Sequence, residues 1–174
     1  MTGEDDAVIA RTRAWVDRAV IGLNLCPFAK APQVKGLVRY VVSAATDPAA
    51  LLADFDDYLA FVEIAEDTVA ELDLEGVLQV ASFHPQYRFA GTSADDIGNA
   101  TNRSPSPTLH LIREESIDRA VAAFPEAEAI YETNIETLRR LGPAGWAALQ
   151  QQCRDDAAAA QPAGSAAAPP AGTR

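Results

Sequence analysis

The chain has 174 residues, 48% of them apolar and 22% charged, and a formal net charge of −11. That length supports one domain with a real core and is too short for two ordinary ones. The negative field repels polyphosphate, which excludes nonspecific DNA or RNA binding. No apolar run reaches the roughly 18 residues of a membrane span. "MTGEDDAVIARTR" is acidic before it is apolar, the reverse of a secretory signal, so no membrane partner and a cytoplasmic location are expected. Cys26 and Cys153 lie far apart without C-x-x-C spacing, and reduced thiols are the expectation in that compartment.

From Val8 to Ile21 apolar residues, Trp15 and Ala19 among them, recur at helical spacing, with Gly22 placed to end the helix. In "NLCPFAK" Pro27 disfavours helical geometry at Cys26 and removes a backbone donor, which predicts a fixed loop. "GLVRYVVSAA" is rich in β-branched and aromatic residues and predicts a strand. Phe55, Leu59, Val62, Ala65, Val69 and Leu72 predict one face of an amphipathic helix that ends near Gly76. "GVLQVASF" is apolar on both faces, the pattern of a central strand covered from both sides. "PTLHLIRE" predicts a further strand, with Leu109 and Leu111 on one face and Thr108, His110 and Ile112 on the other.

The remainder is helical by pattern: Pro125 and Pro143 suit first-turn positions, Gly142 suits a helix end, and Ile130, Asn134, Leu138 and Leu141 form a stripe. From Asp155 onward alanine, proline, glycine and serine dominate, which predicts a disordered tail over 155–174. The expected architecture is a single compact α+β domain over 4–153. It has a small sheet of about three strands packed by helices and a long ordered loop between the last two strands.

That loop, residues 85–107, is the strongest address for function. Connections beyond roughly 12 to 15 residues are uncommon and are usually functional or disordered. Tyr87, Phe89 and Ile97 can anchor it, and one helical turn fits at "SADDIGN", where Ser93 and Asp96 have capping-box-like spacing. Between Val77 and Arg113, three arginines against Asp95 and Asp96 leave a net of +1 in a chain of −11. Such an island draws a small anionic molecule, with Arg103 as a planar fork and Thr101, Asn102 and Ser104 as donors beside it. The alternative is that Arg103 pairs with Asp95 or Asp96 and only ties the loop down.

Both histidines flank this loop. If the two strands are antiparallel neighbours, His84 and His110 come near one another and, with Asp95, Asp96 or Cys26, could form the shell of a divalent transition metal. No recognised metal-ligand spacing is present, and either imidazole could instead act as general acid or base or hold the loop's shape. Cys26 is a nucleophile candidate if a histidine lowers its pKa, and otherwise a small buried apolar group. Trp15 and Trp146 are most simply core residues.

"NLCPFAK", "LQVASFHPQYRFAGTSADDIGNATNRSPSPTLHLIRE" and "AIYETNIETLRRLG" together resemble domain-of-unknown-function family 1415, a group of small bacterial proteins, from about Trp15 to Trp146. The resemblance implies no reaction. Relative to that family, the chain lacks a segment before "DFDDYLAF" that includes a helix and an apolar strand, and Ser106 stands where an aromatic residue is usual.

Two functional expectations follow. One is a small enzyme acting on an anionic metabolite, with Arg103 and Asn102 binding the anion, His84 or His110 as acid and base, and Asp95 or Asp96 orienting an imidazole or a metal. The other is a noncatalytic ligand-binding or regulatory module using the same loop. A blander possibility is that the polar residues only satisfy backbone groups of a buried loop.

Overall fold

The computed structural model describes residues 3–43, 55–124 and 129–160. Helix α1, Gly3–Trp15, opens with Glu4, Asp5 and Asp6, carboxylates that complement the positive end of the helix dipole. It passes directly into a π-helical stretch, Val16–Ile21, where the Gly22 N–H donates to the Asp17 carbonyl at 3.0 Å. The wide turn brings the Arg18 carbonyl so close that a Cβ on residue 22 would stand 2.3 Å from it. Glycine is therefore required here by close approach, since its φ of −65° is ordinary.

Helix α2, Lys30–Val34, follows. The strand expected over "GLVRYVVSAA" does not form among the described residues: 37–43 run without strand pairing, and residues from 44 lie outside them. Tyr40 ties this segment to α1 instead. Its ring lies under the Arg13 guanidinium at 4.7 Å, and its hydroxyl donates to Gln33, which in turn donates to Asp17. β-Branched composition favours a pleated surface only where a neighbouring strand supplies one.

Helix α3 spans Phe55–Glu71. Its buried face keeps Phe55, Val62, Ala65 and Val69 of the expected stripe and adds Tyr58, fully buried, whereas Leu59 and Leu72 are exposed. The shortening expected before "DFDDYLAF" falls on 44–54, outside the described residues.

Strands β1, Leu78–Phe83, and β2, Thr108–Arg113, pair antiparallel with Leu78 opposite Arg113 and Phe83 opposite Thr108. Among the described residues they form a two-stranded sheet, where about three strands are expected. No residue of β1 is fully buried, so it is not the doubly covered central strand its composition suggests. Burial along β2 does not alternate: Thr108, Leu109 and Ile112 are half-buried, and His110, Leu111 and Arg113 are exposed.

Helix α4, Glu114–Ala122, leads toward α5, Ile130–Ala159. Gly142 interrupts α5 with φ 68° and ψ 170°, and Pro143 opens its second half, as their types require. The position of Pro125 lies outside the described residues. The helix also continues through Asp155–Ala159, part of the stretch expected to be disordered. Arg18 forks onto Asp156 there and Ala157 is buried, so tertiary contacts hold these residues. Residues 161–174 lie outside the description.

The core is formed where α1, the π-helical turn and α5 meet: Trp15, Ala19, Leu25, Ala100, Leu138, Trp146, Leu149 and Cys153. The π-helical turn is the element with least tolerance. Gly22→Ala is expected to cost about 1–3 kcal/mol through forced backbone displacement, measured by urea unfolding. A stability equal to the parent's would mean the turn relaxes without cost.

Candidate functional site

The loop from His84 to Pro107 carries a short 3₁₀ helix, Ile97–Asn102. Asp96, not Ser93, caps it, accepting the Gly98 N–H at 2.8 Å. Ser93 donates to Asp95 at 2.6 Å, and that hydroxyl, followed by the Asp95 N–H, holds the exposed Asp95 carboxyl below its usual range. Neither aspartate lines the pocket at the loop's junction with α1 and α5.

A fully buried amide organises the loop. Asn99 accepts from the Phe89 N–H at 3.0 Å and the Thr92 hydroxyl at 2.8 Å, and donates to the Ser93 carbonyl at 2.8 Å. Its neighbours act in the same way: Thr101 donates to Gly98, Asn102 to the Ser82 carbonyl on β1, and Ser104 to Ser106. Thus Thr101 and Ser104 spend their hydroxyl donors on the loop's own carbonyls and Asn102 its amide on a β1 carbonyl. Arg103 does so in part, through Nε to Tyr87 at 3.2 Å and one terminal nitrogen to Ala94 at 2.6 Å. Burial pulls its pKa down, and the nearby Asp96 charge opposes this. Arg103 thus bonds to backbone rather than pairing with either aspartate among the described residues.

Tyr58 closes the loop's base. Its hydroxyl donates to the Thr108 carbonyl at 2.8 Å and accepts the Phe83 N–H at 3.0 Å, bridging the ends of both strands. Burial, first among the causes, pushes its pKa up to about 12.

His84 is 1% exposed, with its ring 4.9 Å from Tyr58 and 5.4 Å from Phe55. Its Nδ1 accepts the Gln86 N–H at 3.1 Å, which leaves Nε2 as the protonated nitrogen of the neutral ring. The strands are antiparallel, the arrangement that a two-histidine site requires. His110, however, pairs with Ala81, three positions back from His84, and an odd offset along a pleat places the imidazoles on opposite faces. His110 is exposed, although the surrounding protein desolvates it enough to lower its pKa. Among the described residues, no three His, Cys, Asp or Glu side chains gather to hold a metal. Cys26 lies half-buried in the turn after the π-helical stretch, as a free thiol.

What the loop does meet is a pocket of about 150 Å³ at its junction with α1 and α5. Arg11 and Trp15 come from α1, Pro85 and Arg103 to Pro105 from the loop, and Trp146, Gln150, Cys153 and Arg154 from α5. Three arginines line it and no carboxylate does. The acids adjacent in sequence are engaged elsewhere, Asp156 with Arg18 and Asp155 with Gln151. Among the described residues, two buried donors, Arg11 Nε and Trp15 Nε1, have no hydrogen-bond partner. Leaving such a group unpaired costs roughly 1–3 kcal/mol. Arg154 stands at the exposed rim, bonded to Gln151. Cys153, 4% exposed, points its thiol toward the Ala14 carbonyl at 3.6 Å, and burial raises its pKa.

Of the residues singled out in the sequence, Arg103 and Ser104 reach this pocket. Arg11, Trp15 and Arg154 were not anticipated there. Their signal is spacing: Arg11 and Trp15 are four apart, and Trp146, Gln150, Cys153 and Arg154 share one helical face.

Two loop variants test this account. Asn99→Ala leaves the Phe89 N–H without its acceptor, whereas the Thr92 hydroxyl keeps the Phe89 carbonyl and the Ser93 carbonyl keeps the Asp96 N–H; it is expected to cost about 1–3 kcal/mol in urea unfolding, and no loss would show that water replaces the amide without penalty. For Tyr58, a raised folded pKa means its contribution is full below about pH 10 and lost as pH rises through about 12. Stability should therefore fall over that window, and fall less in Tyr58→Phe. Identical alkaline profiles for both proteins would contradict it.

The chain matches the family described as Protein of unknown function (DUF1415) over residues 7–54 and 48–148, and so belongs to it. No curated protein matches. No solved structure matches. Among the described residues, no helix is long and apolar enough to cross a membrane.

Proposed function

We propose that this member of the DUF1415 family binds a small anionic molecule in the pocket between the 84–107 loop, α1 and α5. The observation that carries this reading is the lining: Arg11, Arg103 and Arg154 without one carboxylate, in a chain of net charge −11. Like charges brought together cost energy unless something of opposite sign offsets them. A recess at the junction of three segments, with apolar walls and few convergent polar groups, is the ordinary form of a small-molecule site. The loop's internal hydrogen bonds then have a purpose, since they hold Arg103 and Ser104 at the pocket wall.

Binding is favoured over catalysis at the histidines. His84 is buried among rings and His110 faces away on the sheet, so neither lines the pocket that holds the arginines. The enzyme reading would place its reacting group among the pocket residues instead.

Thermal unfolding at constant ionic strength, set with chloride, tests the reading against acetate, benzoate and inorganic phosphate. At least one should raise the midpoint saturably. A hundredfold excess over Kd corresponds to about 2.7 kcal/mol, and the rise should shrink markedly in Arg154→Gln. No saturable rise with any of the three, or an equal rise in the variant, would refute it.

A further inference from the structure

The donors that the pocket's arginines leave unused narrow the ligand class. Resting on the anion-binding reading above, we infer that the occupant is a small phosphomonoester whose terminal phosphoryl group lies among the three guanidinium groups. Arg103 uses Nε and Nη2 on the Tyr87 and Ala94 carbonyls, and Arg154 uses the same two atoms on Gln151. In both, Nη1 makes no bond among the described residues. Arg11 Nε is closed to solvent, but its two terminal nitrogens are open and without a partner among the described residues. The Gln150 amide, exposed on α5, is unengaged there too. All four side chains line the recess.

The acceptor's chemistry follows from the charge and number of these groups. A carboxylate brings two oxygens and a single negative charge, which leaves most of the charge of three lining arginines uncompensated. A phosphomonoester carries about −1.5 to −2 at pH 7 and three strong acceptor oxygens, one for each guanidinium. Planar guanidinium forks match that geometry, the reason arginine clusters recognise phosphoryl groups. Neighbouring acids do not compete for the arginines: Asp155 and Asp156 bond to Gln151 and Arg18, and Asp96 caps the 3₁₀ helix. The walls favour an ester over the bare ion. Trp15, Trp146, Pro85 and Pro105 offer apolar contact that an organic substituent uses and an inorganic ion does not. A volume of about 150 Å³, that of a cavity holding one benzene ring, takes the phosphoryl group and the first atoms of its substituent. Arg154 at the open rim adds attraction on entry.

Isothermal titration calorimetry on the full chain, at two temperatures and with ionic strength fixed by chloride, separates this inference from the broader reading. At about pH 7.5 the monoester is a dianion. The probes are phenyl phosphate, its monoanionic methyl diester, inorganic phosphate and benzoate. Phenyl phosphate should bind one per chain, at least about ten-fold tighter than each of the others, with benzoate binding measurably but more weakly. Arg154→Gln keeps the fold, since that side chain bonds only to Gln151, and should narrow the preference for phenyl phosphate over benzoate about three-fold or more. Benzoate or the diester matching phenyl phosphate, or an unchanged preference in Arg154→Gln, would overturn the phosphomonoester inference and leave the anion-binding reading standing. Inorganic phosphate matching phenyl phosphate would overturn it as well, with the free ion as the ligand. No saturable heat with phenyl phosphate, inorganic phosphate or benzoate at either temperature would overturn both.

Discussion

One buried side chain, the amide of Asn99, is the constraint on which the rest depends. A long loop packed against a helical core carries backbone groups that lose water and must find partners. Asn99 answers two of them, the Phe89 N–H and the Ser93 carbonyl, accepts the Thr92 hydroxyl besides, and sits fully buried while doing so. With that amide in place the chain turns into the 3₁₀ helix, whose Ala100 packs into the core and whose Asn102 reaches back to β1. Arg103 is then delivered to the wall formed by α1 and α5. Tyr58 performs the complementary task at the loop's base by bonding to both strand ends.

This arrangement explains why so much polar chemistry collects in one stretch. Most of it serves the loop itself, and what is left over defines the site. Asn99, Thr101, Asn102 and Ser104 form bonds within the loop and to β1, and Asp96 caps its helix. Arg103 has donors to spare after bonding to Tyr87 and Ala94, because a guanidinium carries five N–H groups. The positive character of the pocket is completed by helices distant in sequence, Arg11 from α1 and Arg154 from α5.

Local patterning made much of the fold legible. The positions of α1, α3, β1 and β2, and the break at Gly142 and Pro143, follow from hydrophobic period and backbone chemistry. What failed depended on partners. "GLVRYVVSAA" has strand composition, but residues 37–43 lack a neighbouring strand among the described residues, and Tyr40 anchors them to α1. On α3 most of the expected stripe faces inward, but Tyr58 is buried and Leu59 exposed, because a phenol satisfies two strand ends and an aliphatic chain cannot. The tail stayed helical to Ala159 because Arg18, far away in sequence, holds Asp156. Of the pocket's lining, the loop supplies Arg103 and Ser104, both singled out in the sequence. The facing half was hidden because Trp15 and Trp146 have the character of core residues, and they are buried. Only the coincidence of an arginine one turn from Trp15 hinted that its ring also serves a recess.

The central claim is that the junction of loop, α1 and α5 is a binding site for a small anionic molecule. The chain's two tryptophans, Trp15 and Trp146, both line that pocket, so intrinsic tryptophan emission reports its occupancy directly. Titration with benzoate at fixed ionic strength should give a saturable change in emission, with the midpoint moving to higher concentration in Arg103→Gln. A change that stays linear in benzoate and equals that of free tryptophan would mean that the ligand quenches by collision and that the pocket is not its site.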